Sequence, residues 1–163
     1  MRDEKTLARF GLLIALALIL SYLESLLPLS FGVPGIKLGL PNLVVIFALY
    51  RLSPRAAAVI SVLRVLLVSV LFGSVLSLAY SAAGAVMSFL IMWGLKRSGK
   101  FSCTGVSVAG ALAHNAGQIL AAALLLETSR LTWYLPVLCI SGTVAGICIG
   151  LLSAVLVRRI KLS

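Results

Sequence analysis

Six apolar runs, separated by short polar or basic gaps, organise the chain at residues 8–27, 40–51, 54–72, 76–95, 103–126 and 132–157. Five of them reach or approach the ~20 residues that carry an α-helix across about 30 Å of hydrocarbon. The pattern predicts an all-α, polytopic membrane bundle of six helices, built as a single integral membrane domain over 1–163. The second run is the short one. A helix from Pro41 to Tyr50 rises only ~15 Å. The stretch before it, residues 28–41, reads PLSFGVPGIKLGLP and interleaves Pro28, Pro34 and Pro41 with Gly32, Gly35 and Gly39. Proline removes a backbone donor and glycine permits unusual φ, so this segment is not regular helix. It is also too apolar for a solvated tether. It is expected to fold back over the outer face of the bundle, where irregular backbone is tolerated if protein buries it or it lines a wet cavity. Within 28–39, Pro34, Gly35, Lys37 and Gly39 are the candidate gating positions.

Composition agrees with bilayer solvent. The chain is 61% apolar and 11% charged, with a mean hydropathy of +1.17. Soluble domains run at about 45–50% apolar and about 25% charged, and a water-exposed surface of this composition would lack the polar groups to cover it. The N-terminal Arg2, Lys5 and Arg9 before an apolar run resemble a signal peptide, but that run continues to about Leu27 without a small-x-small cleavage site. An uncleaved first helix is expected.

The net charge of +10 does not point to nucleic acid, because the basic residues lie in the gaps between apolar runs rather than on one aromatic-studded face. Eleven Lys and Arg fall on one side of the alternating topology: Arg2, Lys5, Arg9, Arg51, Arg55, Lys96, Arg97, Lys100, Arg158, Arg159 and Lys161. Lys37 and Arg130 are left on the other side, and Arg64 inside a helix. The positive-inside rule then predicts a multi-pass protein of the cytoplasmic membrane with both termini in the cytoplasm.

Small residues mark packing faces. Gly142, Gly146 and Gly150 form a repeated small-xxx-small ridge on the sixth helix, and Gly11 and Ala15 a shorter one on the first. Such ridges serve helix packing or the docking of a partner helix. Ser77, Ser81, Gly84 and Ser88 give the fourth helix a narrow face.

Polar side chains inside a membrane are costly, so each is a site candidate. These are Glu24, Asn42, Arg64, His114, Asn115 and Gln118. The predicted topology places all of them between the midplane and the outer surface, which suggests one polar cavity open to the outside. Asn42 is also placed to cap the second helix after Pro41, and Arg64 to pair with Glu24. His114 and Gln118, at i and i+4, share a helix face. The N-terminus of the short second helix, with Arg64 and Lys37, favours an anionic small-molecule ligand.

No catalytic signature accompanies these residues. The chain has no HExxH, GxSxG or GxxxxGK[ST] pattern, and Cys103, Cys139 and Cys148 show no metal-ligand spacing. Neither an enzyme nor a resident cofactor or metal is expected.

The segment ESLLPLSFGVPGIKLGLPN, from Glu24 to Asn42, and the segment AHNAGQ, from Ala113 to Gln118, carry a family resemblance. On them the chain resembles the bacterial membrane proteins called heptaprenyl diphosphate synthase component I, or the Gx transporter family. That family is in turn similar to the substrate-binding S components of energy-coupling factor transporters. This second likeness implies six helices, an outward cavity, a first external loop acting as a lid, and a membrane coupling subunit with two ATPases as partners. It also implies docking through small residues on the first helix, where Gly11 and Ala15 are the nearest match. On this basis substrate capture, with Glu24, Asn42, Arg64, His114, Asn115 and Gln118 as ligands, is the leading expectation. The family's other name implies instead a non-catalytic membrane subunit supporting a soluble polyprenyl diphosphate synthase. Such synthases carry DDxxD motifs with magnesium, and this chain has one aspartate, Asp3.

Overall fold

In the computed structural model, residues 2–27 and 38–160 are described. Pro34, Gly35 and Lys37 of the candidate gate, and Lys161 of the basic tail, lie outside them. Among the described residues there are six α-helices: α1 (Arg2–Leu26), α2 (Asn42–Arg51), α3 (Pro54–Phe72), α4 (Val75–Ser98), α5 (Cys103–Leu125) and α6 (Leu135–Arg159), with a 3-10 turn at Ser129–Tyr134 before α6. All but α2 are long and apolar enough to cross a membrane. The protein is a multi-pass membrane helical bundle.

Local chemistry sets the helix boundaries. Ser53 accepts the Ala56 N–H at 3.0 Å with Pro54 in the first turn of α3, and Ser102 accepts the Gly105 N–H at 3.0 Å to start α5. Ser74 and Ser77 form a reciprocal capping box at the head of α4. These side chains satisfy amide groups that the first helical turn leaves open.

Three boundaries differ from the apolar pattern. α1 begins at Arg2 rather than near residue 8, because the polar stretch ahead of the apolar run also adopts helical geometry. α4 continues past residue 95 to Ser98 and stops at Gly99. The predicted start of the sixth helix near 132 is a 3-10 turn, and α6 proper begins at Leu135 with Pro136 in its first turn.

The short α2 is the centre of the bundle. Val44, Val45, Ile46, Phe47, Ala48 and Leu49 are all buried, so it is apolar on every face, as a helix enclosed by protein must be. α2 packs against α3 and α6, α1 packs on α3, and α5 lies between α4 and α6. Ala17, Ala57, Ile60, Met92, Val106 and Ile149 complete the core. Large apolar side chains such as Leu12, Val70, Val75 and Ile140 are exposed on the outer faces, where acyl chains are the solvent.

Two sets of contacts define the ends of the bundle. At one, Arg51 Nη2 donates to the Val157 carbonyl and Lys96 Nζ to the Leu49 carbonyl. Both carbonyls belong to last turns, which lack intrahelical donors. Lys96 also stands 5.2 Å over the Tyr50 ring. The C-terminal ends of α2, α4 and α6 therefore meet, and the positive charges of the second and fourth connections and the tail gather there. At the other end the rings of Tyr22 and Phe72, near the ends of α1 and α3, approach to 5.4 Å.

Candidate functional site

The chain just before α2 is held by a carboxylate. The Gly39 N–H donates to Glu24 Oε1 at 2.5 Å, joining the end of α1 to the start of α2. Gly39 has φ +73°, a left-handed conformation that glycine adopts without the Cβ penalty. The Asn42 N–H then donates to the Gly39 carbonyl at 2.9 Å.

Asn42 does not cap α2. It is the first helical residue; Pro41 occupies the N-cap position and no side chain caps the helix. Asn42 instead faces Ser107 and Ala111 of α5 and Ala145 and Gly146 of α6 across a space of about 10 Å³, roughly the volume that admits one water.

Arg64 is half-buried as a residue, with its Nε fully enclosed and without a hydrogen-bond partner. Glu24 is the carboxylate that acts on it electrostatically, while the direct hydrogen bond of Glu24 goes to Gly39. The expected close pair is thus a through-space relationship.

The three polar residues of α5 divide between two neighbours. Asn115 Nδ2 donates to the Leu138 carbonyl of α6 at 2.7 Å, and a Cβ at Gly142 would stand 2.6 Å from that same nitrogen. His114 and Gln118 turn toward α4, where a Cβ at Gly84 would lie 2.7 Å from Gln118 Cγ and 2.8 Å from the His114 carbonyl oxygen. One helix turn thus serves two interfaces, with Asn115 on the α6 side and His114 and Gln118 on the α4 side.

The α6 ridge presses on α5: a Cβ at Gly146 would meet Val108 Cα at 2.7 Å, and one at Gly150 would meet Thr104 Cα at 2.7 Å. Gly11 and Ala15 are exposed, and a Cβ at Gly11 would meet nothing within 4 Å. The α1 residue that seals the core is Ala17.

A larger space lies between α3 and α4. Ala58, Ser61 and Val62 of α3 and Ala82, Ala85 and Leu90 of α4 line an apolar groove of about 150 Å³. Its signal in the sequence is the alanine content of two facing helices, which reads equally as close packing.

The family model for heptaprenyl diphosphate synthase component I matches residues 13–156. The chain belongs to that family. The match runs from α1 to α6 and contains Glu24, Asn42, Arg64, His114, Asn115 and Gln118, together with both walls of the groove. No protein of curated function and no solved structure matches the chain.

Proposed function

We propose that this component I family member is a non-catalytic, membrane-embedded subunit that supports a soluble polyprenyl diphosphate synthase in isoprenoid or quinone biosynthesis. The family match across 13–156 carries this reading. The sequence supports it by lacking the DDxxD motif on which such synthases hold magnesium, so that the catalytic chemistry belongs to the partner. The geometry supports it in that Asn115 is taken up in a bond to α6 and Glu24 in a bond to the Gly39 amide, both of them contacts within the bundle. In this reading the basic end faces the cytoplasm, as the positive-inside rule directs, and both termini lie there. Arg55, Arg97, Arg158 and Arg159 then face the compartment of the soluble partner. The test is reconstitution: the chain in nanodiscs, added to the soluble synthase, raises the rate or the length of product made. A synthase equally active alone, and unassociated with the nanodiscs, overturns the proposal.

One observation favours a second reading, capture of a small anionic metabolite with a coupling subunit and two ATPases. It is the enclosed Arg64 Nε without a hydrogen-bond partner, an uncommon state for a buried donor. Glu24, Asn42, His114, Asn115 and Gln118 would be its companion ligands, and residues 28–39 the gate. Under this reading Arg64→Leu, or His114→Ala with Asn115→Ala, abolishes uptake while membrane insertion persists; unchanged uptake in both removes the site.

A further inference from the structure

We propose that the groove between α3 and α4 binds a polyisoprenyl diphosphate, with the chain in the groove and the diphosphate on Arg55 and Arg97. This deepens the synthase-subunit reading and rests on it.

The shape of the groove suits a chain. It follows α3 from Ala58 to Leu66 and α4 from Leu78 to Leu90, about 12 Å and about 18 Å at 1.5 Å per residue. Val62, Val86 and Leu90 line it and are themselves about half exposed, so it opens on the lipid-facing side of the bundle. Ala58, Ala82 and Ala85 line it with side chains that end at Cβ, which gives a branched chain more room than larger residues would.

The basic end of the groove suits an anion. α3 begins and α4 ends there, so Ala58 and Leu90 lie at its basic mouth. Arg55 precedes Ala58 by three residues and continues the same helix face. On α4, Ala82, Val86 and Leu90 recur every four residues, and Arg97 follows Leu90 two turns later on that face. Between them is Gly94, where a Cβ would meet nothing within 4 Å; the path from groove to arginine is open.

The two arginines are also available. Arg51 and Lys96, their neighbours at this end, are committed to helix carbonyls. Arg55 and Arg97 are exposed and hold no such bond among the described residues. Guanidinium forks match phosphate oxygens two at a time, so two arginines answer two phosphates. No acidic residue lies on α3 or α4 to oppose the anion.

The test uses the full chain in phosphatidylcholine nanodiscs with radiolabelled heptaprenyl diphosphate, competed by geranylgeranyl diphosphate, phosphatidylglycerol or inorganic diphosphate. Strong competition by the prenyl compound, and at most weak competition by inorganic diphosphate and phosphatidylglycerol, is expected. Arg55→Gln with Arg97→Gln, and separately Ala82→Phe, are each expected to weaken binding about tenfold or more, which is about 1.4 kcal/mol. Because a filled groove can disturb folding, the wild-type chain is also labelled with a photoactivatable prenyl diphosphate, and cross-links are expected within 54–66 and 78–97. Competition by phosphatidylglycerol or by inorganic diphosphate as strong as that by the prenyl compound, unchanged binding in both variants, or cross-links confined to other helices overturns the site. Association of the arginine double variant with the soluble synthase is measured in parallel. Association with no prenyl binding defeats only this inference; absence of association even for the wild-type chain defeats the subunit reading.

Discussion

Glu24 and Gly39 are fifteen residues apart, and the carboxylate of the first accepts the backbone N–H of the second at 2.5 Å. This bond holds the start of the central helix against the end of α1. A charged acceptor makes a shorter and stronger bond than a neutral one, and removing it takes that partner from a part-buried amide.

Glu24→Ala is therefore expected to destabilise the protein by about 1.5–3 kcal/mol, the range for a hydrogen bond to a charged group. Glu24→Gln keeps a carbonyl oxygen and is expected to lose less. Gly39→Ala is expected to cost about 1–2 kcal/mol for its left-handed backbone, since the nearest atom to a new Cβ is 3.9 Å away. Thermal unfolding in detergent ranks the three, and hydrogen exchange at the Gly39 amide reports the bond itself. An amide equally protected in Glu24→Ala contradicts this role.

The α5–α6 seam gives a second expectation, resting on which atoms a methyl would meet. At Gly142 the obstacle is the end of the Asn115 side chain, which can move; at Gly146 it is the Val108 backbone. Gly146→Ala is expected to be the more damaging, by about 1–3 kcal/mol of overpacking. Asn115→Leu, which loses the bond to the Leu138 carbonyl, is expected to cost about 0.6–2 kcal/mol, the range for hydrogen bonds between membrane helices. Detergent unfolding of the three variants is the check; equal losses at Gly142 and Gly146 contradict the packing argument.

At the basic end, Arg51 and Lys96 close the last turns of α6 and α2. Replacing both with Met removes two carbonyl caps and two positive charges. A loss of stability larger than that from Arg55→Met with Arg97→Met is expected, because the latter pair holds no helix carbonyl. Orientation is checked separately: a fluorescent protein fused to the C-terminus is expected to light, and alkaline phosphatase fused there to be inactive. The reverse pattern would invert the topology.

Parts of this structure were legible in the chain before its fold. α3 spans Pro54–Phe72, as its apolar run does, because Ser53 and Pro54 announce the start and Gly73 the stop. Six helices, and the gathering of positive charge at one end, also followed from where the apolar runs break. The polar residues were legible as residues but not as an arrangement. His114 and Asn115 are adjacent in sequence and about 100° apart around a helix; which neighbour each meets depends on how α5 is rotated between α4 and α6. Asn42 looked like a cap because it follows proline, yet the turn from Gly39 through Pro41 supplies backbone bonds that make a side-chain cap unnecessary. The α3–α4 groove left no distinct mark, since alanines that open a recess and alanines that close a packing seam read alike.

The most direct test of the central claim is affinity purification of the tagged chain from native membranes in mild detergent, with partners identified by mass spectrometry. A soluble synthase subunit carrying DDxxD motifs, recovered in stoichiometric amount and without an ATPase pair, is the expected result. A membrane coupling subunit with two ATPases, and no synthase, would contradict the account and return the enclosed Arg64 to the centre of the chemistry.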